Sequence, residues 1–201
     1  FCFLCRMETI NLLVEGEIDE IIAHKLIFGV GHQVGACYGK KGYLYIKNKI
    51  QDFNKSAQTI YYLALVDFMD TGCNCPSEVI LNWLPNKNEL MFFRVVVREI
   101  ESWILADREN LAAFLNVNIE LIPAKPEIEP DPKRKLVNIA RKSRSKKIRD
   151  ALVPDQNSTA QVGKLYTSEI KRFVSDFWNI DTARENSPSL TKCLLRLSEI
   201  D

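Results

Sequence analysis

Residues 59–67 read TIYYLALVD, a run of aromatic, aliphatic and β-branched side chains that ends on an acid. Two other stretches are built the same way, METINLLVE at 7–15 and LMFFRVVVRE at 90–99. Each is short and nearly continuously apolar, without the alternation of a strand that has one face in water. That is the pattern of strands buried on both faces of a parallel sheet. The segments between them carry helical spacing. Residues 18–28 place apolar groups at 18, 21, 22, 26 and 28, and residues 45–57 and 77–84 also read as helices. Residues 29–43 hold five glycines and read as a long loop, in which Gly39-Lys40-Lys41-Gly42 lacks the remainder of a phosphate-loop motif. Parallel strands joined through helices give an α/β fold, a parallel sheet flanked by helices with right-handed crossovers.

Downstream of residue 99 the pattern is helical. A helix is expected over 101–106, and another over 108–115 with Asp107 as its cap. Four prolines within 122–132 predict an extended linker. Asp131 then caps a helix with Pro132 at its first position, where a missing N–H costs nothing. Helices over 165–177 and 189–199 follow, the last capped by Ser187 or Ser189. The expected organisation is an α/β core over 7–120, a Pro-rich linker over 121–132 and a helical C-terminal extension over 133–201.

The 201 residues suit one domain with a small appendage, and 46% hydrophobic with 26% charged residues excludes a disordered or low-complexity chain. Every apolar run is broken by charge well before the ~18 residues of a membrane span. The opening FCFLCRMETI has no secretory pattern, so a reducing cytoplasm with free thiols is expected for Cys2, Cys5, Cys37, Cys73, Cys75 and Cys193. The spacings Cys2-x-x-Cys5 and Cys73-x-Cys75 make a poor zinc set. His24 and His32 read as structural or solvated, and Trp83, Trp103 and Trp178 as core anchors.

The net charge of +1 conceals segregation. Residues 133–149, KRKLVNIARKSRSKKIR, hold nine of the 27 bases and no acid, which leaves 18 bases against 26 acids elsewhere. Lys135, Arg141, Lys142, Arg144, Lys146 and Lys147 are the candidate contacts to phosphates. Lys133 differs from them. It shares a helix face with Leu136 and Val137, ahead of Ile139 and Ala140, so it faces inward and needs an acidic or phosphate partner.

The acids at the strand ends carry the chemistry. Val14 runs into Glu15, Val66 into Asp67, and Val97 into Arg98-Glu99. In an open parallel sheet the carboxyl ends of the strands share one edge, where ligands bind. Asp19, Asp70 and Glu101 lie close by in sequence. Any one of these acids is accounted for as a helix cap, but several together repel one another unless a divalent cation neutralises them. Hard oxygen donors suit Mg²⁺ or Mn²⁺.

Two of these stretches resemble a known family. LLVEGEIDE (12–20) is similar to the first motif of the Toprim (topoisomerase–primase) superfamily as it occurs in OLD-type nucleases, V-E-G followed by an acid three residues on. LVDFMD (65–70) resembles the second, an apolar strand ending in D-x-D. The strings at 96–115, 131–154, 162–166 and 187–197 resemble an uncharacterised family in the same neighbourhood. The resemblance implies a Toprim-like sheet with Mg²⁺ held by Glu15, Asp67 and a further acid, and Glu15 in acid–base work on phosphodiesters. It also implies a setting in phage defence or repair, with a possible ATPase partner. Asp67-Phe68-Met69-Asp70 has one residue more than D-x-D, so the further ligand is Asp70, Asp19, Glu99 or Glu101. The expected function is Mg²⁺-dependent cleavage of nucleic acid, with Glu15 shuttling protons and Lys133 stabilising developing charge. The alternative is a catalytically degenerate module of this fold that binds nucleic acid or an ATPase partner.

Overall fold

β1 (Thr9–Val14) is fully buried from Ile10 to Val14 except for a trace of Asn11, as a central strand must be. It is the axis of a computed structural model that describes residues 7–200. α1 (Glu17–Gly29) follows it, then β2 (Gln33–Gly39), α2 (Tyr43–Ser56), β3 (Tyr61–Asp67), α3 (Pro76–Trp83) and β4 (Met91–Val96). The strands form one all-parallel sheet in the order β2-β1-β3-β4. Leu12 pairs with Leu63, Leu63 with Phe92, and Asp67 with Val96, so the three apolar strands read from the sequence are direct neighbours.

Successive strand residues point to opposite faces. Leu13, Tyr62, Ala64, Val66, Phe93 and Val95 form one layer with Ile46 and Ile50 of α2 and Val79 and Trp83 of α3. Trp83 stacks on Phe93, with ring centroids 5.9 Å apart. α1 packs on β1, β2 and β3 through Ile22, Ala23, Leu26 and Ile27. His32 is buried and its Nδ1 accepts the Glu8 N–H, a structural role.

The glycine-rich stretch corrects the sequence reading. Residues 33–39 are an edge strand, β2, and not part of a loop. Its residues are half-buried or exposed, so no apolar run announces it. It is drawn into the sheet by backbone pairing with β1 and by the buried Asn11, whose Oδ1 accepts the Ala36 N–H at 2.8 Å where the register shifts. The strand ends in a close crossing. Lys40 N–H donates to Val14 O at 2.8 Å and Gly42 N–H to Glu15 O at 3.1 Å. Gly39, at φ +99°, lies so near β1 that a Cβ there would be 2.2 Å from Val14 O.

The chain divides into two compact units, one of residues up to Val97 with those from Thr191 on, the other Arg98–Leu190. The second unit is helical. It contains α4 (Ile100–Ala106), α5 (Arg108–Leu115), 3-10 turns at Ile119–Leu121 and Pro126–Ile128, α6 (Pro132–Ala140), α7 (Lys146–Leu152), α8 (Tyr166–Asp176) and α9 (Ile180–Asn186). α10 (Pro188–Leu197) opens in it, capped by Ser187, whose Oγ accepts the Leu190 N–H. Every residue of α4 is buried, and α6 and α9 pack on it. The Pro-rich stretch therefore lies inside a folded unit, and the helix after β4 groups with later helices rather than with the sheet. Asp131 caps α6 as expected, its Oδ1 accepting the Arg134 N–H at 2.8 Å. Asp107 stands at the N-cap of α5, but its side chain accepts none of that helix's backbone N–H groups. Its carboxylate accepts from Asn110 Nδ2, Asn179 N and Thr182 Oγ1 and so holds the start of α9.

Among the described residues no helix is long and apolar enough to cross a membrane. Cys37, Cys73, Cys75 and Cys193 are free thiols; Cys2 and Cys5 lie outside the described residues.

Gly39→Ala should destabilise the chain by about 2–3 kcal/mol, because positive φ and collision with the β1 carbonyl act together. Gly31→Ala, also at positive φ but with nothing within 4 Å of the added Cβ, should cost only about 1 kcal/mol. Urea unfolding of the two variants checks the difference, and equal losses would mean that the crossing over β1 is not tight.

Candidate functional site

The carboxyl edge of the sheet brings Glu15 and Asp67 together. Glu15 follows the last residue of β1 and Asp67 is the last residue of β3. The Asp67 N–H donates to Glu15 Oε1 at 2.7 Å. Asp67 is buried and Glu15 half-buried, so the Glu15 carboxylate lies across the end of the neighbouring strand and is not directed freely into solvent. Asp19 is buried in the first turn of α1, where the helix dipole favours a negative charge. Its Oδ2 lies over the start of the helix, 3.2 Å from where a Cβ on Gly16 would stand. Asp70 is exposed. The additional residue of the D-x-x-D string is absorbed by a 3-10 turn, Met69–Thr71, that begins just after β3. Thr71 Oγ1 donates to Phe68 O at 2.7 Å and closes that turn.

Glu15 and Asp67 are hard oxygen donors of the kind Mg²⁺ takes. Among the described residues no group of three or more His, Cys, Asp or Glu side chains is arranged to hold a metal ion. Two carboxylates on one edge still fit Mg²⁺, which keeps several waters and is held through one or two carboxylates together with substrate phosphates.

Glu99, Glu101 and Lys133 form a second cluster, inside the helical unit. Glu101, on α4, has no solvent exposure. Its Oε1 accepts the Tyr166 hydroxyl at 3.0 Å and lies 3.5 Å from Lys133 Nζ. Its Oε2 is buried without a hydrogen-bond partner among the described residues. Glu99 accepts the Lys133 backbone N–H at 3.0 Å, and its Oε1 is 3.9 Å from Lys133 Nζ. Lys133 does turn inward from the start of α6, beside the buried Leu136 and Val137, and it meets acids there. Burial, with Glu101 close by, holds the Glu99 carboxyl above its ordinary value. Burial and the same two glutamates hold the Tyr166 hydroxyl well above the usual phenol range, so it stays a proton donor. Tyr166 escaped the sequence reading: a tyrosine on an amphipathic helix does not show which buried carboxylate its hydroxyl meets.

The basic stretch is two helices with a turn between them. Arg141, Lys142, Arg144, Lys146 and Lys147 are exposed. Lys135 is half-buried and pairs with Glu129 at 3.6 Å. Arg149 turns inward and donates to Ser143 O. Ser145 Oγ accepts the Ile148 N–H and caps α7.

Tyr166→Phe should cost about 2–3 kcal/mol in urea unfolding, since it leaves a fully buried carboxylate short of its hydroxyl donor. A loss under about 0.5 kcal/mol would show that Glu101 does not depend on Tyr166. Glu99 contributes through pH. Its folded value lies above the ordinary 4.5, so the folded chain binds this proton more tightly than the unfolded one. The contribution is full below about 4.5 and is lost as pH rises through the folded value. Glu99→Gln, which still accepts the Lys133 N–H, should therefore gain on the parent as pH rises from 4 to 7. Parallel stability curves would contradict this.

No protein-family model matches the chain, and no curated protein and no solved structure is detectably similar to it.

Proposed function

We propose that this chain is a Toprim-like, Mg²⁺-dependent hydrolase of nucleic-acid phosphodiesters. The observation that carries this reading is the Glu15–Asp67 pair, two carboxylates from adjacent parallel strands joined by the Asp67 N–H at the edge where open parallel sheets bind ligands. Mg²⁺ bound there would polarise a phosphate and lower the pKa of water. Glu15 and Asp67 would hold it. Asp67 N–H fixes one oxygen of Glu15 and so orients the other, which would take a proton from the attacking water. The exposed Arg141, Lys142, Arg144, Lys146 and Lys147 would meet backbone phosphates without regard to sequence. Lys133 takes no part in this scheme, because its ammonium already faces Glu99 and Glu101. The OLD-type resemblance adds a setting in phage defence or repair and an ATPase as the class of partner.

The second reading is a degenerate module that binds nucleic acid but does not cut it. It is favoured by the exposed Asp70, which leaves the second motif one carboxylate short beside Asp67.

Glu15→Gln and Asp67→Asn separate the two. For the hydrolase, cleavage of single- or double-stranded DNA or RNA should stop in EDTA. It should fall about 10²-fold or more in Glu15→Gln, the usual worth of a positioned base. Calorimetric Mg²⁺ or Mn²⁺ binding should weaken in both variants. Nucleic-acid binding without metal binding or cleavage in the parent would establish the module. Cleavage that survives both EDTA and Glu15→Gln would remove these carboxylates from the chemistry.

A further inference from the structure

The helical unit contains a cleft of about 330 Å³ with a basic wall. Arg134 and Asn138 on α6 and Arg141 at its C-cap stand at i, i+4 and i+7 and share one face. Lys133 borders the cleft at the helix start, and Gln161 lines the opposite wall. The one acid in the lining, Asp131, has an oxygen engaged by the Arg134 N–H of its own cap. Both arginines are exposed, and neither has a carboxylate within ion-pair distance among the described residues. Lys133 is already engaged by Glu99 and Glu101, so the two arginines are the cations left to an incoming anion, and their mutual repulsion falls when one enters.

The opposite wall is built, not loose. Gly163 N–H donates to Leu152 O at 2.9 Å and Leu165 N–H to Ala151 O at 3.1 Å, returning the segment after α7 onto that helix. The approach is so close that a Cβ on Gly163 would lie 2.3 Å from Ala151 O. Gln161 is thereby held two residues from an anchored backbone.

We propose that this cleft seats a phosphate group. Guanidinium forks match phosphate oxygens two at a time, and the amides of Asn138 and Gln161 supply further N–H donors. The volume lies at the small end of ligand pockets, about 300–1,000 Å³. No aromatic ring lines the cleft, so nothing in it stacks a base. The ligand is therefore recognised by its phosphate, which comes from a monoester (a nucleotide or a strand terminus) or from the diester of an internal backbone position. The site does not depend on Glu15 and Asp67.

The full chain is titrated at low salt with inorganic phosphate, a nucleoside 5′-monophosphate, and one oligonucleotide with and without a 5′-phosphate. Arg134→Gln with Arg141→Gln should weaken binding about tenfold or more. Lys47→Gln with Lys55→Gln, exposed bases of α2 outside the cleft, should leave it within about twofold. Circular dichroism confirms that both pairs fold. Preference for the monophosphate and the 5′-phosphorylated strand identifies a monoester, and equal binding of both strands identifies the diester. No binding of any probe by the parent, or equal losses in the two variant pairs, overturns the proposal. Binding in the cleft should persist in Glu15→Gln, so its failure and that of the metal-dependent reading are read separately.

Discussion

Helix α4 is buried along its whole length, and the helical unit is organised by answering its polar groups. Burying a carboxylate costs several kcal/mol unless it is paired and hydrogen-bonded. Glu101 is answered by the Tyr166 hydroxyl from α8 and the Lys133 ammonium from α6. Trp103 Nε1 donates to Ser189 Oγ at 2.8 Å, and Trp178 Nε1 to Trp103 O at 3.0 Å. Asn186 Nδ2 donates to Ala106 O, and Asp107 receives the start of α9. These partners come from residues 32 to 86 positions away in sequence, so a seven-residue helix too short to be stable alone becomes the centre of its unit.

What the sequence reveals follows from burial. β1, β3 and β4 are legible because strands covered on both faces must be apolar throughout, and few other elements that short are. β2 is not legible. As an edge strand it needs no apolar face, and its glycines suit a close crossing as well as a loop. The three tryptophans read as core anchors are buried, at 5%, 0% and 2% exposure for Trp83 on α3, Trp103 on the wholly buried α4 and Trp178 between α8 and α9. α7 and α9 are seven residues each and were below the length at which periodicity separates helix from turn. The boundary at Val97 is silent in composition. The prolines at 122–132 suggested a linker, yet Glu127 in that stretch accepts from Ser187 and Ser189 and binds it into the unit.

The candidate site is legible to the same extent. Strand-end acids were bound to share an edge once the strands were parallel, and Glu15 and Asp67 do. The fate of Asp70 depended on how one additional residue is absorbed, which a 3-10 turn decides. Lys133 was readable as inward-facing, since its helix stripe fixes its direction. Which acids it meets depended on tertiary packing that spacing does not encode.

Charge in this protein is apportioned by access to water. Of the nine bases in 133–149, Lys133, Lys135 and Arg149 are engaged by Glu99 and Glu101, by Glu129 and by the Ser143 carbonyl. The six others, Arg134, Arg141, Lys142, Arg144, Lys146 and Lys147, are exposed. An exposed cation exchanges its hydration for a phosphate at little cost, whereas one already paired with a buried carboxylate must first leave that carboxylate uncompensated. The acids divide the same way. Glu101 has no exposure and a cation beside it, so a hydrated metal ion would have to displace Lys133 to reach it. Glu15 is half-buried, is engaged through one oxygen by a neutral N–H, and stands at a sheet edge. At Glu101 an incoming cation must first break the ion pair with Lys133, whereas Glu15 and Asp67, 52 residues apart in sequence, are brought together at the sheet edge by neighbouring strands.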